Sequence, residues 1–252
     1  MTIPPQRGIT YGPVRSRRLG RSLGINLLPP GRKVCNFDCR YCQYGWTDPA
    51  LLERLDAADL PPAGRVLDAV AAALAELAEP PAWLTFSGNG EATLHPDFGA
   101  IVEGVRRLRD RLAPAARTAI LSNATRAGDP GVRAALGRLD ARIMKLDAGT
   151  EPGFRRYNGP VGGLTLDEVV AGLRALPDVT LQTLFTTGPD GNLAPRELGA
   201  WLACVAAIRP RLVQLYTLDR GAPSDRIAPA TRAELESVRG RVAALGVAAE
   251  VF

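Results

Sequence analysis

The chain has 252 residues, of which 46% are apolar and 23% are charged, and its net charge is +5. This balance is ordinary for a globular protein and excludes disordered, collagen-like and coiled-coil chains. A length near 250 residues suits one α/β barrel domain. The apolar run 201–208 is far shorter than the ~20 residues that span a bilayer, and the N-terminus lacks the apolar stretch of a secretory signal. We therefore expect one cytoplasmic domain, residues 1–252, with no membrane partner.

Short β-branched or apolar segments alternate with longer Ala/Leu-rich amphipathic stretches. The predicted strands, with a short seventh at the C-terminus, are 22–28, 82–87, 117–123, 141–147, 179–185, 211–218 and 247–252. Helical spacing and capping-box signatures predict the helices 65–78, 97–112, 165–176, 195–208 and 231–246. This alternation is typical of an α/β fold with right-handed βαβ units and a parallel sheet. An open partial (βα)6 barrel and a doubly wound sheet both fit, and in both the functional residues should lie at the carboxyl ends of the strands.

Three of the four cysteines, Cys35, Cys39 and Cys42, lie within eight residues in a loop after the first predicted strand. A disulfide framework needs paired cysteines in an oxidising compartment, so this cluster favours metal binding. Thiolates favour zinc, copper(I) or iron–sulfur clusters. A structural zinc needs four ligands, and the candidates for the fourth are Cys204 and His95. A [4Fe–4S] cluster held by three thiolates would instead leave one iron open to a small molecule.

The segment CNFDCRYC, residues 35–42, is similar to the cluster motif of the radical S-adenosylmethionine (radical SAM) superfamily, including the aromatic Tyr41. Nearly the whole chain resembles a group of compact members related to wyosine-type tRNA-modifying enzymes. The resemblance implies a partial (βα)6 radical SAM barrel with a basic N-terminal segment 1–21 and a cluster-binding loop 29–45. It also implies that a [4Fe–4S] cluster and SAM are the cofactors. The cluster ligands would then be Cys35, Cys39 and Cys42.

The resemblance further implies which residues bind SAM. The segment 88–91 matches the Gly-Gly-Glu-type motif that holds the amino group of SAM, although relatives often have proline where this chain has Ala92. The last two residues of the third predicted strand are candidates for hydrogen bonds to the ribose or carboxylate, with a helix cap as the alternative. Residues of the sixth strand would pack on the adenine, as would the aromatic residue of the cluster motif. The assigned residues are Tyr41, Gly88, Asn89, Gly90, Glu91, Ser122, Asn123, Leu215 and Tyr216.

Four residues near strand ends are candidates for catalysis. Lys145 and Asp147 alternate with apolar residues on the fourth strand, so we expect both side chains to face into the barrel. Arg220, after the sixth strand, is suited to bidentate binding of an anionic group, with a surface ion pair as the alternative. His95 is either a proton donor or only the start of the next helix. Gln182 in the fifth strand is either a satisfied core amide or a substrate contact.

The favoured hypothesis is a radical SAM enzyme, of an oxidoreductase, transferase or lyase type. It would cleave SAM reductively to a 5′-deoxyadenosyl radical, which abstracts hydrogen from a small molecule or a peptide. A tRNA substrate is the alternative, supported by the arginines of 15–21 and the net charge, but the cysteines for the second cluster of wyosine synthases are missing. A glycyl-radical-enzyme activase and a non-catalytic zinc module are further alternatives. The enzyme would need an electron donor such as flavodoxin or ferredoxin.

Overall fold

The structure, a computed structural model, describes residues 2–252. Within them are ten strands and eight α-helices, named here in chain order. The strands are β1 (Thr10–Ser16), β2 (Gly20–Ile25), β3 (Trp83–Phe86), β4 (Arg117–Ser122), β5 (Ala141–Lys145), β6 (Val179–Leu184), β7 (Thr186–Thr187), β8 (Leu212–Tyr216), β9 (Ala228–Pro229) and β10 (Ala249–Val251). The helices are α1 (Pro49–Glu53), α2 (Ala63–Glu76), α3 (Phe98–Leu112), α4 (Pro130–Leu136), α5 (Glu151–Tyr157), α6 (Leu166–Arg174), α7 (Pro195–Ile208) and α8 (Arg232–Ala243).

Eight strands form one sheet in the order β1-β2-β3-β4-β5-β6-β8-β10. β1 pairs antiparallel with β2, and every later pair in this sheet is parallel. A doubly wound sheet reverses its strand order at a switch point, whereas here the order follows the chain. Among the described residues no pairing joins β1 to β10, so the sheet stays open. The expected α/β partial barrel is confirmed.

All seven predicted strands and all five predicted helices are present, with ends shifted by a few residues. The basic segment 1–21 also contains β1, an edge strand with a mostly exposed or half-buried pattern that gave no apolar alternation. The helices α1, α4 and α5 have only five to seven residues, too few for an apolar period to show. Their starts are fixed locally by side-chain caps from Asp48, Asp129 and Thr150, each followed by a proline in the first turn.

The core lies between the sheet and its helices. Val66 and Val70 of α2 are fully buried, as are Ile101 and Val105 of α3, in the helical spacing that predicted these elements. From α7, Trp201 contributes the largest fully buried side chain. Its indole donates to the carbonyl of the residue before Asp147 at 2.8 Å, so α7 is fixed against the end of β5. No helix among the described residues is both long and apolar enough to cross a membrane.

Candidate functional site

The cysteine loop, residues 29–45, crosses the carboxyl ends of the first strands in a fixed conformation. Lys33 is buried and its Nζ donates to the carbonyl of Gly45 at 2.7 Å, which closes the loop on itself. Backbone bridges join Val34 to Gly90 and Phe37 to Pro160. The loop is therefore tied both to the segment after β3 and to the segment after α5.

All three loop cysteines are free thiols, two of them buried and Cys42 half-buried. Burial, reinforced by the nearby Asp147, raises the pKa of Cys39 to about 12. Burial likewise raises the pKa of Cys35 well above its ordinary value, with Cys39 as a further cause. A metal centre bound to these sulfurs would favour their thiolate forms against this effect of burial.

Three N–H groups point at the two buried sulfurs. The amide nitrogen of Asn158 lies 3.6 Å from Cys39 Sγ, and that of Asn123 lies 3.7 Å from Cys35 Sγ. The backbone N–H of Phe37 is 3.4 Å from the same Cys35 sulfur. Hydrogen-bond donors to cysteine sulfurs are a feature of iron–sulfur sites, where they stabilise the negative charge on the cluster.

The donor set fits a cluster better than a zinc ion. Among residues 2–252, no three Cys, His, Asp or Glu side chains converge on a single-ion site. His95 Nε2 lies 3.0 Å from the carbonyl of Pro61, and its Nδ1 accepts from the N–H of Asp97, so this ring belongs to the start of α3. Cys204 lies on α7, with its sulfur 4.0 Å from a backbone carbonyl. Three thiolates that do not share one ion are suited to a [4Fe–4S] cluster, in which each sulfur binds a different iron.

The Gly-Asn-Gly-Glu segment is paired with the cysteine loop. Val34 donates to the carbonyl of Asn89 at 2.8 Å, and its own carbonyl accepts from the N–H of Glu91 at 3.0 Å. Gly90 has φ +139°, and a Cβ at this position would lie 1.7 Å from the Val34 carbonyl oxygen. Only glycine fits such an approach, so Gly90 is needed for the contact between the two loops.

Two side chains of this segment already have partners inside the protein. The Glu91 carboxylate is buried and accepts from Ser122 Oγ at 2.9 Å, the Asn123 N–H at 2.6 Å and two groups of Thr93. Burial raises the pKa of Glu91, while these hydrogen bonds lower it, and the net direction is upward. The Asn89 side chain bonds to backbone groups of Gln6 and Pro29. Asn89 therefore fixes the N-terminal segment with its side chain and leaves none of its amide for a ligand.

Lys145 and Asp147 meet inside the barrel, as their positions on one strand predicted. Lys145 Nζ lies 3.0 Å from Asp147 Oδ1 and donates to the hydroxyl of Tyr216 at 2.9 Å. It also lies 4.7 and 4.9 Å from the ring centroids of Tyr41 and Tyr216. Burial works against the charged amine, but Asp147 and Tyr216 outweigh it and raise the pKa of Lys145. This residue is therefore a fixed cation rather than a base.

The Asp147 carboxylate joins this cation to the cysteine loop. It accepts from the Tyr41 hydroxyl, from Asn158 Nδ2 at 3.0 Å and from the backbone N–H of Leu184 at 2.9 Å. Burial raises the pKa of Tyr41 well above its ordinary value, and the negative charge of nearby Asp147 is the next largest cause. Sequence analysis missed Asn158, although an Asn-Gly-Pro sequence just after a helix is a turn signal that places a polar side chain at the sheet edge.

The remaining predicted residues separate into core and rim. Leu215 is fully buried in the core, whereas Tyr216 lines a cavity, because consecutive strand residues face opposite sides. Gln182 donates to Gln214 and accepts from the Tyr216 hydroxyl, which makes it a satisfied core amide. Arg220 is exposed and donates to a side-chain carbonyl of the cysteine loop at 2.8 Å.

A family model of the radical SAM superfamily matches residues 32–194. This chain belongs to the radical SAM superfamily. The matched range contains the cysteine loop, the Gly-Asn-Gly-Glu segment and the Lys145–Asp147 pair. Radical SAM enzymes bind a [4Fe–4S] cluster and SAM, and these are the cofactors of this family.

Two curated relatives are UPF0026 proteins. One from Synechocystis is 32% identical over 226 residues, which cover 86% of this chain and 77% of the relative. One from Methanocaldococcus jannaschii is 35% identical over 171 residues, covering 68% of this chain and 50% of the relative. The match to the Synechocystis relative thus covers most of this chain and about three quarters of that protein.

Solved structures share the fold at low identity. A radical SAM methyltransferase from Sphaerobacter thermophilus has a TM-score of 0.62 and 14% identity, over 92% of this chain and 65% of that one. TYW1 with a lysine–pyruvate adduct bound has a TM-score of 0.56 and 14% identity, over 88% and 72% of the two chains. Streptococcus suis SuiB bound to S-adenosylmethionine has a TM-score of 0.63 and 12% identity, over 91% and 50%. At 12–14% identity these likenesses show the fold alone, and this chain spans less than two thirds of the methyltransferase and half of SuiB.

Proposed function

We propose that this chain is a radical SAM enzyme in which Cys35, Cys39 and Cys42 hold the [4Fe–4S] cluster. The observation that carries the proposal is the pair of buried amide groups, of Asn123 and Asn158, directed at two of the three sulfurs. When bound, the cluster and SAM would supply a 5′-deoxyadenosyl radical that abstracts hydrogen from the substrate. The residues of the chain would position both cofactors and exclude water.

We propose that SAM binds beside the Gly-Asn-Gly-Glu segment, with Glu91 as acceptor for its amino group. Three of the four internal hydrogen bonds of this carboxylate go to Oε1, whereas Oε2 accepts only from the N–H of Asn123. A carboxylate has about four acceptor positions, so Oε2 retains room for an ammonium group. Ser122 would act through Glu91 as a positioning residue. Gly88, Gly90 and the aromatic Tyr41 and Tyr216 would complete the SAM site.

Lys145 and Asp147 would orient the bound molecules electrostatically. Asp147 accepts hydrogen bonds on both oxygens and holds Tyr41 and Lys145 in place. Because the Lys145 amine keeps its proton, it would donate a hydrogen bond to an acceptor on SAM or on the substrate. Arg220 would act at the rim, while His95 and Leu215, which lie in the helix start and the core, have no part in the proposed site.

A small molecule or a peptide is the proposed substrate. Two of the four arginines of 15–21 are already paired with carboxylates, which reduces the basic surface left for a nucleic acid. Arg17 is ion-paired with Asp219 at 2.8 Å, and Arg21 with Glu79 at 2.7 Å. The proposed reductant is a one-electron donor of the flavodoxin or ferredoxin type.

Anaerobic reconstitution with iron and sulfide, followed by a reductant and SAM, tests this function. We expect about four iron and four sulfide per chain, as in a [4Fe–4S] protein, and formation of 5′-deoxyadenosine. Cys39→Ser should lose most of the iron and sulfide, whereas Cys204→Ser, a matched control outside the loop, should retain both. Stoichiometric zinc without sulfide would contradict the proposal, as would a loaded wild type that forms no 5′-deoxyadenosine with any reductant.

A further inference from the structure

The open side of the barrel contains a cavity of about 570 Å³. Its walls come from the β1–β2 hairpin on one side and from the segment after β8 on the other, and Phe252, beyond β10, also lines it. Tyr41 and Tyr216 form part of its inner wall, beside the proposed SAM site. This volume lies in the range of small-ligand pockets, about 300–1,000 Å³.

The charged side chains of the cavity wall are strongly unequal in sign. Four arginines line it, namely Arg15, Arg17, Arg18 and Arg220, against a single carboxylate, Asp219. That carboxylate is paired with Arg17. The remaining guanidinium groups create a positive field in a concave space, which attracts anions.

The surroundings of Arg18 give the strongest indication of an anionic ligand. It is half-buried, and its guanidinium carbon lies 4.6 Å from the ring centroid of Tyr216. Among residues 2–252, no carboxylate lies within ion-pair distance of this guanidinium. A guanidinium that stacks on an aromatic ring and has no carboxylate partner keeps its N–H donors free for an acceptor. A bound anion would supply the missing partner.

We propose that the substrate carries a phosphate or carboxylate group and that Arg18 binds it, with Arg15 and Arg220 at the rim of the cavity. The inference rests on the proposed function, because it names the substrate class of that site. Both groups present two oxygens to the planar guanidinium fork. Tyr216 contacts both Arg18 and Lys145, so an anion on Arg18 is one side chain away from the Lys145–Asp147 pair beside the cysteine loop.

Binding of simple anions to the reconstituted protein tests the proposal. Inorganic pyrophosphate and succinate serve as phosphate and carboxylate probes in calorimetry at low ionic strength. We expect Arg18→Gln to weaken binding by at least about tenfold, as for a lost hydrogen bond between charged groups. Arg241→Gln removes an exposed arginine of α8 that does not line the cavity, and it should bind like the wild type. Binding of only one probe identifies the group.

A second variant keeps the test decisive if Arg18→Gln folds poorly. Asp219→Asn removes the only carboxylate of the cavity wall and releases Arg17 from its ion pair. The proposal predicts tighter anion binding in this variant, by up to about fivefold, because a negative charge that repels the anion and pairs with Arg17 is removed. A general loss of structure would change affinity in the opposite direction.

Three results would overturn the inference. They are failure of the wild type to bind either probe, equal affinities in the wild type and Arg18→Gln, and Arg18-dependent binding of bulk tRNA alone. The last would assign the arginines to a nucleic acid. A wild type that forms 5′-deoxyadenosine but binds neither probe refutes only the anionic substrate. A wild type that binds the probes through Arg18 but forms no 5′-deoxyadenosine refutes the proposed function and keeps the anion site.

Discussion

The cysteine loop and the arginine-lined cavity adjoin each other, since Tyr41, Gln43 and Tyr44 of the loop line the cavity, but they are built in opposite ways. The loop is fixed by buried backbone bridges and by amides directed at its sulfurs. The cavity wall depends on exposed side chains, such as the Arg17–Asp219 pair, whose side chains are 59% and 63% exposed. Under the two proposals above, the chemical centre would be preorganised, while recognition would be left to side chains that can be replaced without disturbing the fold.

The largest expected effect comes from placing a methyl group between the cysteine loop and the Gly-Asn-Gly-Glu segment. Gly90→Ala would bring Cβ against the Val34 carbonyl at a φ that alanine rarely adopts. We expect a loss of about 3 kcal/mol in the free energy of unfolding, measured by urea denaturation, together with poorer retention of iron. Gly240→Ala in α8 is the matched control, because a Cβ there meets nothing within 4 Å, and it should stabilise by ~0.5–1 kcal/mol. Equal stabilities of the two variants would refute a rigid junction between the loops.

The next effect concerns the buried carboxylate. Glu91→Gln replaces one acceptor oxygen with an NH2 group that would face donors from Thr93, Ser122 or Asn123. We expect a loss of about 1–3 kcal/mol in stability and weaker SAM binding, measured by urea denaturation and calorimetry. Glu250→Gln, an exposed position on β10, should change neither quantity. If Glu91→Gln binds SAM as the wild type does, the carboxylate is a structural anchor only.

The smallest effect is expected at the cavity. Arg17→Gln breaks an exposed ion pair, so we expect the free energy of unfolding to change by less than ~1 kcal/mol. The same urea denaturation checks this, with Arg17→Lys as the variant that keeps the charge. A loss above about 2 kcal/mol would show that the hairpin holds the barrel together and would remove the contrast between the two regions.

Local patterns predicted much of the fold. Both capping boxes predicted from sequence, at Thr165 and Thr231, are present at the starts of α6 and α8. The polar alternation of Lys145 and Asp147 correctly predicted that they share a side of the sheet. These features depend on residues within a few positions of each other, so a single stretch of sequence contains all the information they need.

Other assignments required partners that are distant in sequence. His95 is a candidate proton donor or helix start and Leu215 a candidate adenine contact by sequence, and the structure puts His95 against Pro61 and Leu215 in the core. The side chain of Asn89 forms hydrogen bonds with the backbone of Gln6, 83 positions away. No local pattern distinguishes a polar side chain that bonds to protein from one that is free for a ligand.

The sequence by itself determined the three-cysteine motif, the alternation of strands and helices, and the family, because each of these depends on residues that are close together in the chain. The tertiary structure decided what the residue pattern alone left open, a barrel or a doubly wound sheet, by its strand order, in favour of the barrel that the resemblance implied. It also brought Asn158 to a cysteine 119 positions away and Arg17 to a carboxylate 202 positions away. The physical reason is that closing the sheet toward a barrel brings its first and last strands to the two sides of one opening, where residues from both ends of the chain form the cavity.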